Sequence, residues 1–218
     1  MTLASSPTTC LKDIVLSPGS HVLIPNVSWE QYETLLVELG NHRTTPRITY
    51  FNQTLELMNP LPAHEQPHRI IARIVTELLE AENKDWYDFG SSTLKQSSLA
   101  GVEPDTCFYI RNLEQMRNKK RFAPNDPPPD LAIESDVTSK TTLEAYAALQ
   151  VPEIWIYDAG QLTIWILQNG SYEKSSSSLL FPHFPILEQI PRLIELTLNQ
   201  GTLQMLKSLR KSLPQARI

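Results

Sequence analysis

Glycine is scarce in this chain, with 7 residues among 218 against 17 prolines. Connections built this way are stiff, and a Gly-rich loop able to cradle phosphates is missing, as is a G-x-S-x-G nucleophile elbow. Collagen-like repeats are excluded on the same ground. Cysteine is scarcer still. Cys10 and Cys107 stand far apart with no histidine in register and no evident base, which argues against structural zinc and against a thiol nucleophile. No run approaches the roughly 18 apolar residues of a membrane span. The longest apolar windows, such as Ile70–Leu79 with Arg73, Thr76 and Glu77, are interrupted by polar residues. A basic patch followed by an apolar leader is also missing, so the expected location is cytoplasmic, with no membrane partner.

What is present suits a globular protein. Apolar residues make up 41% and charged residues 20%, too apolar for disorder and enough for one large core. Residues 1–19, rich in Ser, Thr and Pro without periodicity, are expected to form a poorly ordered arm. Residues 20–200 are expected to form a single domain, and 201–218 a basic helix or tail.

Periodicity supplies the elements. Ser28 with Gln31 three residues on is a capping box, opening a helix over Ser28–Leu39. Arg47–Phe51 and Thr54–Met58 flank Asn52-Gln53 as a hairpin. His64–Ala81 carries Ile70, Ile71, Ile74, Val75, Leu78 and Leu79 at helical spacing, with Pro67 admissible in the first turn. Strands are expected at Trp86–Phe89, Gly101–Ile110 and Asp130–Ser135, the last led in by Pro127-Pro128-Pro129. Thr141 and Glu144 form a second capping box, whose helix runs through Leu149 to a strand at Glu153–Tyr157. This is a βαβ unit with parallel strands. Leu162–Leu167 and a short strand after Asn169-Gly170 add an antiparallel edge, and helices follow at Pro191–Asn199 and Leu203–Leu209. The fold class is α+β, a mixed sheet flanked by helices with an N-terminal helix and hairpin.

Charge is uneven. The net value is −5, yet Arg111–Arg121 carries a local +4 and so does Leu203–Ile218. A basic rim around an acidic centre suits a phosphate-backbone ligand, although solvated loop charges give the same count.

Chemistry concentrates on few residues. Alternation puts Asp130, Ala132 and Glu134 on one strand face, so Glu134 ends an apolar strand where an ionised carboxylate is costly without a partner. Asp105, after Pro104 and before the apolar Thr106–Ile110, is the best candidate partner. Two converging carboxylates can hold Mg²⁺ or Mn²⁺, and Lys140, just before the Thr141 cap, can fold back as an electrostatic stabiliser. Singly, such residues are ordinarily satisfied by caps, salt bridges or solvent. Glu65 and His68 open the long helix one turn apart, as a dipole partner or as an accessory ligand and phosphate contact. His64 and His68 lack a third ligand in register, and Pro67 lies between them, against a zinc protease.

The run Pro129-Asp130-Leu131-Ala132-Ile133-Glu134, then Ser139-Lys140, Tyr146 and Val151-Pro152-Glu153-Ile154-Trp155-Ile156-Tyr157-Asp158, resembles the bacterial domain of unknown function 820, the Uma-type restriction endonucleases. Met58-Asn59-Pro60, His68 and Pro104-Asp105 are similar to that family's other landmarks, so the resemblance covers about Ser28 to Gln200. It implies a restriction-endonuclease-like PD-(D/E)XK fold, with Asp105 as the motif aspartate and Glu134 as the motif glutamate. The motif lysine two residues after the glutamate is here Asp136, so Lys140 must act as a displaced substitute.

The leading expectation is a Mg²⁺-dependent endonuclease on DNA, with Asp105 and Glu134 as ligands. A catalytically silent DNA-binding module and a structural oligomer stay open beside it. Arg117, Lys119, Lys120 and Arg121, on the loop between the two acid-bearing strands, are expected to line the route for DNA. A homodimer is expected, with Trp155-Ile156-Tyr157 and Leu162–Leu167 as either interface or core.

Overall fold

Ser28 caps the first helix, α1 (Trp29–Leu39), as its spacing predicts. Ser28 Oγ accepts from Gln31 N at 3.2 Å while Gln31 Oε1 accepts from Ser28 N at 2.7 Å. The computed structural model describes residues 11–40, 45–119, 122–123, 126–135 and 140–213. Most of the arm expected at 1–19 lies outside that set. A strand ahead of the helix, β1 (His21–Ile24), is too short to announce itself by alternation. The hairpin keeps its expected bounds as β2 (Arg47–Phe51) and β3 (Thr54–Met58). Asn52 and Gln53 both take positive φ, 46° and 59°, which a two-residue turn with the right twist demands even of a glutamine.

The long helix, α2 (Pro62–Ala81), starts earlier than the apolar spacing indicates. Pro62 stands at its first turn, where a missing N–H costs nothing, and Pro67 therefore falls inside the helix rather than at its start. Three short strands follow: β4 (Tyr87–Asp88), β5 (Leu94–Gln96) and β6 (Ala100–Val102). The run expected as one strand over Gly101–Ile110 is broken at Glu103-Pro104-Asp105, after which β7 (Thr106–Tyr109) joins a different sheet. A short helix, α3 (Leu113–Met116), interrupts the long loop before β8 (Leu131–Ser135). Then come α4 (Lys140–Ala148), β9 (Glu153–Asp158), β10 (Gln161–Gln168), β11 (Ser171–Ser175), α5 (Ile186–Gln200) and α6 (Thr202–Ser212). The fourth helix is under way at Lys140, so Thr141 is not its N-cap.

Two sheets result where one central sheet was expected. The mixed sheet runs β11-β10-β9-β8-β7-β4, and β8 and β9 pair in parallel, as the βαβ reading requires. The hairpin forms the middle of an antiparallel sheet, β1-β3-β2-β6-β5. Leu131, Ile133 and Trp155 on one face of the mixed sheet pack under α2, α5 and α6, through Ile71, Ile74, Leu193 and Met205. Each such side chain contributes about 1.5–3 kcal/mol on burial. The C-terminal segment is therefore docked at least as far as Leu209, which is fully buried. Ala132, Ile154 and Ile156 point the other way, toward Ala145 and Tyr146 of α4, which packs against β2 and β6 between the sheets. Of the residues expected as either core or dimer interface, Trp155, Ile156, Leu162, Ile164 and Ile166 are buried within the chain, and Tyr157, Thr163, Trp165 and Leu167 are half-buried. On the antiparallel sheet, α1 approaches so closely that a Cβ on Gly101 would lie 2.0 Å from Tyr32 OH, which explains one of the few glycines.

Candidate active site

Antiparallel pairing of β7 with β8 sets Thr106 opposite Ile133 and Phe108 opposite Leu131. The residue before β7 and the last residues of β8 therefore meet at one end of the sheet. There Asp105 Oδ2 accepts from Ser135 N at 2.6 Å, and Glu134 Oε2 accepts from Asp105 N at 3.3 Å. The two acids expected to converge do so, Glu134 holding the N–H of Asp105 itself and Asp105 the N–H of the residue after Glu134.

The break at 103–105 is what frees Asp105 for this. Glu103 turns back to the antiparallel sheet, accepting from Ile48 N at 3.1 Å and from Thr93 Oγ1 at 2.7 Å. From the same strand, Arg47 reaches across. Its Nη2 lies 2.9 Å from Asp105 Oδ1 and its Nη1 donates to Pro104 O at 2.7 Å. On the other side, His68 Nδ1 stands 3.7 Å from Asp105 Oδ2. The side chains of Arg47, His68 and Asp105 are 11%, 7% and 7% exposed, so this is a nearly dry cluster. Behind it, Tyr146 OH of α4 donates to Glu134 Oε1, and one turn earlier Thr142 Oγ1 donates to the buried Glu56 at 3.5 Å.

Electrostatics follow from burial. The Glu134 carboxyl is pushed up to about 8, first by loss of water and next by the neighbouring Asp105 charge. The Tyr146 donation, the Arg47 charge and the Asp105 N–H pull the other way. Burial and the Glu134 charge raise the Tyr146 phenol, so it stays a protonated donor. Burial also pushes up the Cys107 thiol, followed by Asp88 and Glu134, which removes it as a nucleophile.

Asp105 opens onto a cleft of about 540 Å³. Arg47, His68, Arg69, Arg73, Thr76, Asp88, Ser91 and Thr106 are among the residues that line it. Glu134, 6% exposed, is not among the residues that line it.

The other expectations fare unevenly. Glu65 belongs to α2 and Lys140 to α4, but their side chains lie outside the described residues, as do Lys120, Arg121 and Asp136 altogether. Arg117 and Lys119 do not approach the acids. The loop they occupy joins the end of β7 at Tyr109 to the start of β8 at Leu131, whereas Asp105 and Glu134 mark the opposite end of that antiparallel pair. Arg117 instead pairs with Glu114 at 2.5 Å, and Lys119 with Asp126 at 2.6 Å. The loop's anchor is Asp130, whose Oδ2 accepts from Ile110 N and Arg111 N at 2.8 and 2.9 Å. Sequence reasoning missed Arg47, Arg69 and Arg73. Arg47 alternates away from the buried Ile48 and Tyr50, which signals an opposite face, but not that the cluster around Asp105 stands across from it.

A mixed sheet with paired carboxylates at the ends of adjacent strands, flanked by helices, is the frame of a restriction-endonuclease-like protein. The family model described as "Uma2: Putative restriction endonuclease" matches residues 29–199, and the chain belongs to that family. A crystal structure from Anabaena variabilis, described as "a putative nuclease belonging to DUF820", is similar at 13% identity with a TM-score of 0.47, covering 70% of this chain and 87% of that one. No curated protein matches. No helix among the described residues is long and apolar enough to cross a membrane.

Proposed function

We propose that this chain hydrolyses phosphodiester bonds of DNA, with Mg²⁺ or Mn²⁺ held by Asp105 and Glu134. The observation that carries this reading is the pair itself: two carboxylates, Glu134 bonded to the N–H of Asp105 and Asp105 to that of Ser135, in a site too dry for both charges. A divalent cation supplies the neutralisation that a proton otherwise supplies to Glu134. Each carboxylate oxygen still has acceptor capacity beyond its present partner. Among the described residues no three or more His, Cys, Asp and Glu gather into a metal set. Two carboxylates suit Mg²⁺, which keeps several waters, better than a caged zinc site. Held by Asp105 and Glu134, such a cation would supply Lewis-acid polarisation of a phosphate and activation of water.

The protein's own groups do the rest. Tyr146 OH holds Glu134 and the Ser135 N–H holds Asp105, so both carboxylates are oriented before substrate arrives. His68 stands at Asp105 on the cleft wall, where its ring can contact a phosphate or its water. Arg69 and Arg73 lie along the same wall one helical turn apart, at a spacing suited to successive phosphates of a backbone. They are expected DNA contacts beside Arg117, Lys119, Lys120 and Arg121. Lys140 and Glu65 stay accessory candidates, and a homodimer is the assembly that would cut two strands.

The test is cleavage of plasmid DNA by the purified protein across Mg²⁺ and Mn²⁺ concentrations, with a chelator control. Metal-dependent nicking or linearisation is expected. With cleavage blocked by chelation, Arg69→Gln/Arg73→Gln is expected to lower DNA affinity and cut the magnitude of the salt slope by about 1–2. An unchanged slope would take the α2 wall out of the interface. A second reading, a DNA-binding module without cleavage, is favoured by Asp136 standing where the motif has lysine. It retains the salt slope and shows no nicking.

A further inference from the structure

Position 136 is an aspartate, so the strand bearing Glu134 does not itself deliver the positive charge that the motif places beside its acids. A guanidinium already stands there, brought by the other sheet. We propose that Arg47 is a cation of this active site, fixing Asp105 and offering its charge to a phosphate bound in the cleft. The inference rests on the nuclease reading above and goes beyond it, since neither family motif nor sequence spacing points to β2.

Three features of the geometry argue for it. Arg47 touches the site directly, through Nη2 to Asp105 Oδ1 at 2.9 Å, and it forks, with Nη1 on Pro104 O at 2.7 Å. That fork clamps the Pro104-Asp105 turn, which the planar guanidinium can do and an ammonium cannot do equally well. Arg47 also lines the cleft together with Asp105, its side chain 11% exposed. Finally, its register is fixed, because the next residue, Ile48, donates its N–H to Glu103 two positions from Asp105. A preset cation in a nearly dry site acts on developing phosphoryl charge without reorganising. Its field also reaches the second acid, drawing the Glu134 carboxyl downward.

A merely structural clamp would give the same contacts, so the test must separate charge from fold. Cleavage is measured for wild type, Arg47→Ala and Arg47→Lys, each with its thermal melt, and for Arg47→Ala with guanidinium added below denaturing concentrations. Arg47→Ala is expected to lose about 10²–10³-fold in cleavage rate. Guanidinium is expected to restore part of that loss, and Arg47→Lys to retain more activity than Arg47→Ala. Wild-type rates in a folded Arg47→Ala would overturn the inference and leave the nuclease reading standing. So would a loss that guanidinium does not restore and Arg47→Lys shares, since that marks a clamp alone. If Arg47→Ala does not fold, Arg47→Lys decides: retained cleavage supports the role of charge, and abolished cleavage in a folded protein overturns it. Absence of metal-dependent cleavage in wild type would remove the nuclease reading, and this inference with it.

Discussion

Replacing Glu134 by glutamine is expected to abolish metal-dependent cleavage and, near pH 8, to make the metal-free protein more stable than wild type. Folded Glu134 keeps its proton up to about pH 8, whereas the unfolded chain releases it near 4.5. Below the lower value both states are protonated and the group is neutral toward stability. As pH rises between the two, the unfolded state gains the freedom to ionise while the folded state does not, so stability is lost across that window. The loss at pH 8 is on the order of a few kcal/mol. Glutamine has no charge to bury, and it can keep either the Tyr146 or the Asp105 N–H contact. Thermal melts in chelator at pH 5 and pH 8 check this. Wild type should fall across the window by more than Glu134→Gln. Parallel pH profiles would show that Glu134 is ionised without cost. Cleavage should fall by at least about 10³-fold, an exchange of stability for function common at active sites.

Asp105→Ala is expected to do the opposite to stability while also abolishing cleavage. Asp105 is the acceptor for Ser135 N and the counter-charge of Arg47. Its removal leaves a nearly buried guanidinium and an amide without their partner, a change that costs about 3–5 kcal/mol. Urea denaturation should show the midpoint fall with the slope unchanged. Asp105→Asn, which keeps an acceptor oxygen but not the charge, should lose less stability and as much activity. Wild-type stability in Asp105→Ala would mean that the Arg47 contact does not hold the turn. Two acids of one pair thus carry opposite signs, because one is matched by a cation and the other is chiefly desolvated.

Local signals were legible where they are local. The Ser28 capping box, the Arg47–Met58 hairpin and the parallel β8–β9 unit each depend on residues close in sequence or on strict periodicity, and each forms as read. The Asp105–Glu134 convergence was legible too, because a carboxylate at the end of an apolar strand needs a partner and Pro104-Asp105 offered one. What alternation does not encode is which sheet a strand joins. Glu103 and Asp105 are two residues apart, yet Glu103 bonds β2 of one sheet and Asp105 bonds β8 of the other. That split hid Arg47. Where Arg117 and Lys119 stand relative to the acids was illegible for a different reason: being between two strands in sequence says nothing about which end of them is closed, and Asp105 and Glu134 stand at the far end of the antiparallel β7–β8 pair.

Calorimetric titration of Mn²⁺ tests most directly whether Asp105 and Glu134 together hold the cation. One site per chain is expected in wild type, with protons released on binding at pH 7 because Glu134 must give up its own. The heat measured in buffers of different ionisation enthalpy should therefore differ for wild type, and the site should vanish in Glu134→Gln and Asp105→Ala. Equal Mn²⁺ binding in wild type and both variants, or no binding in wild type, would contradict it.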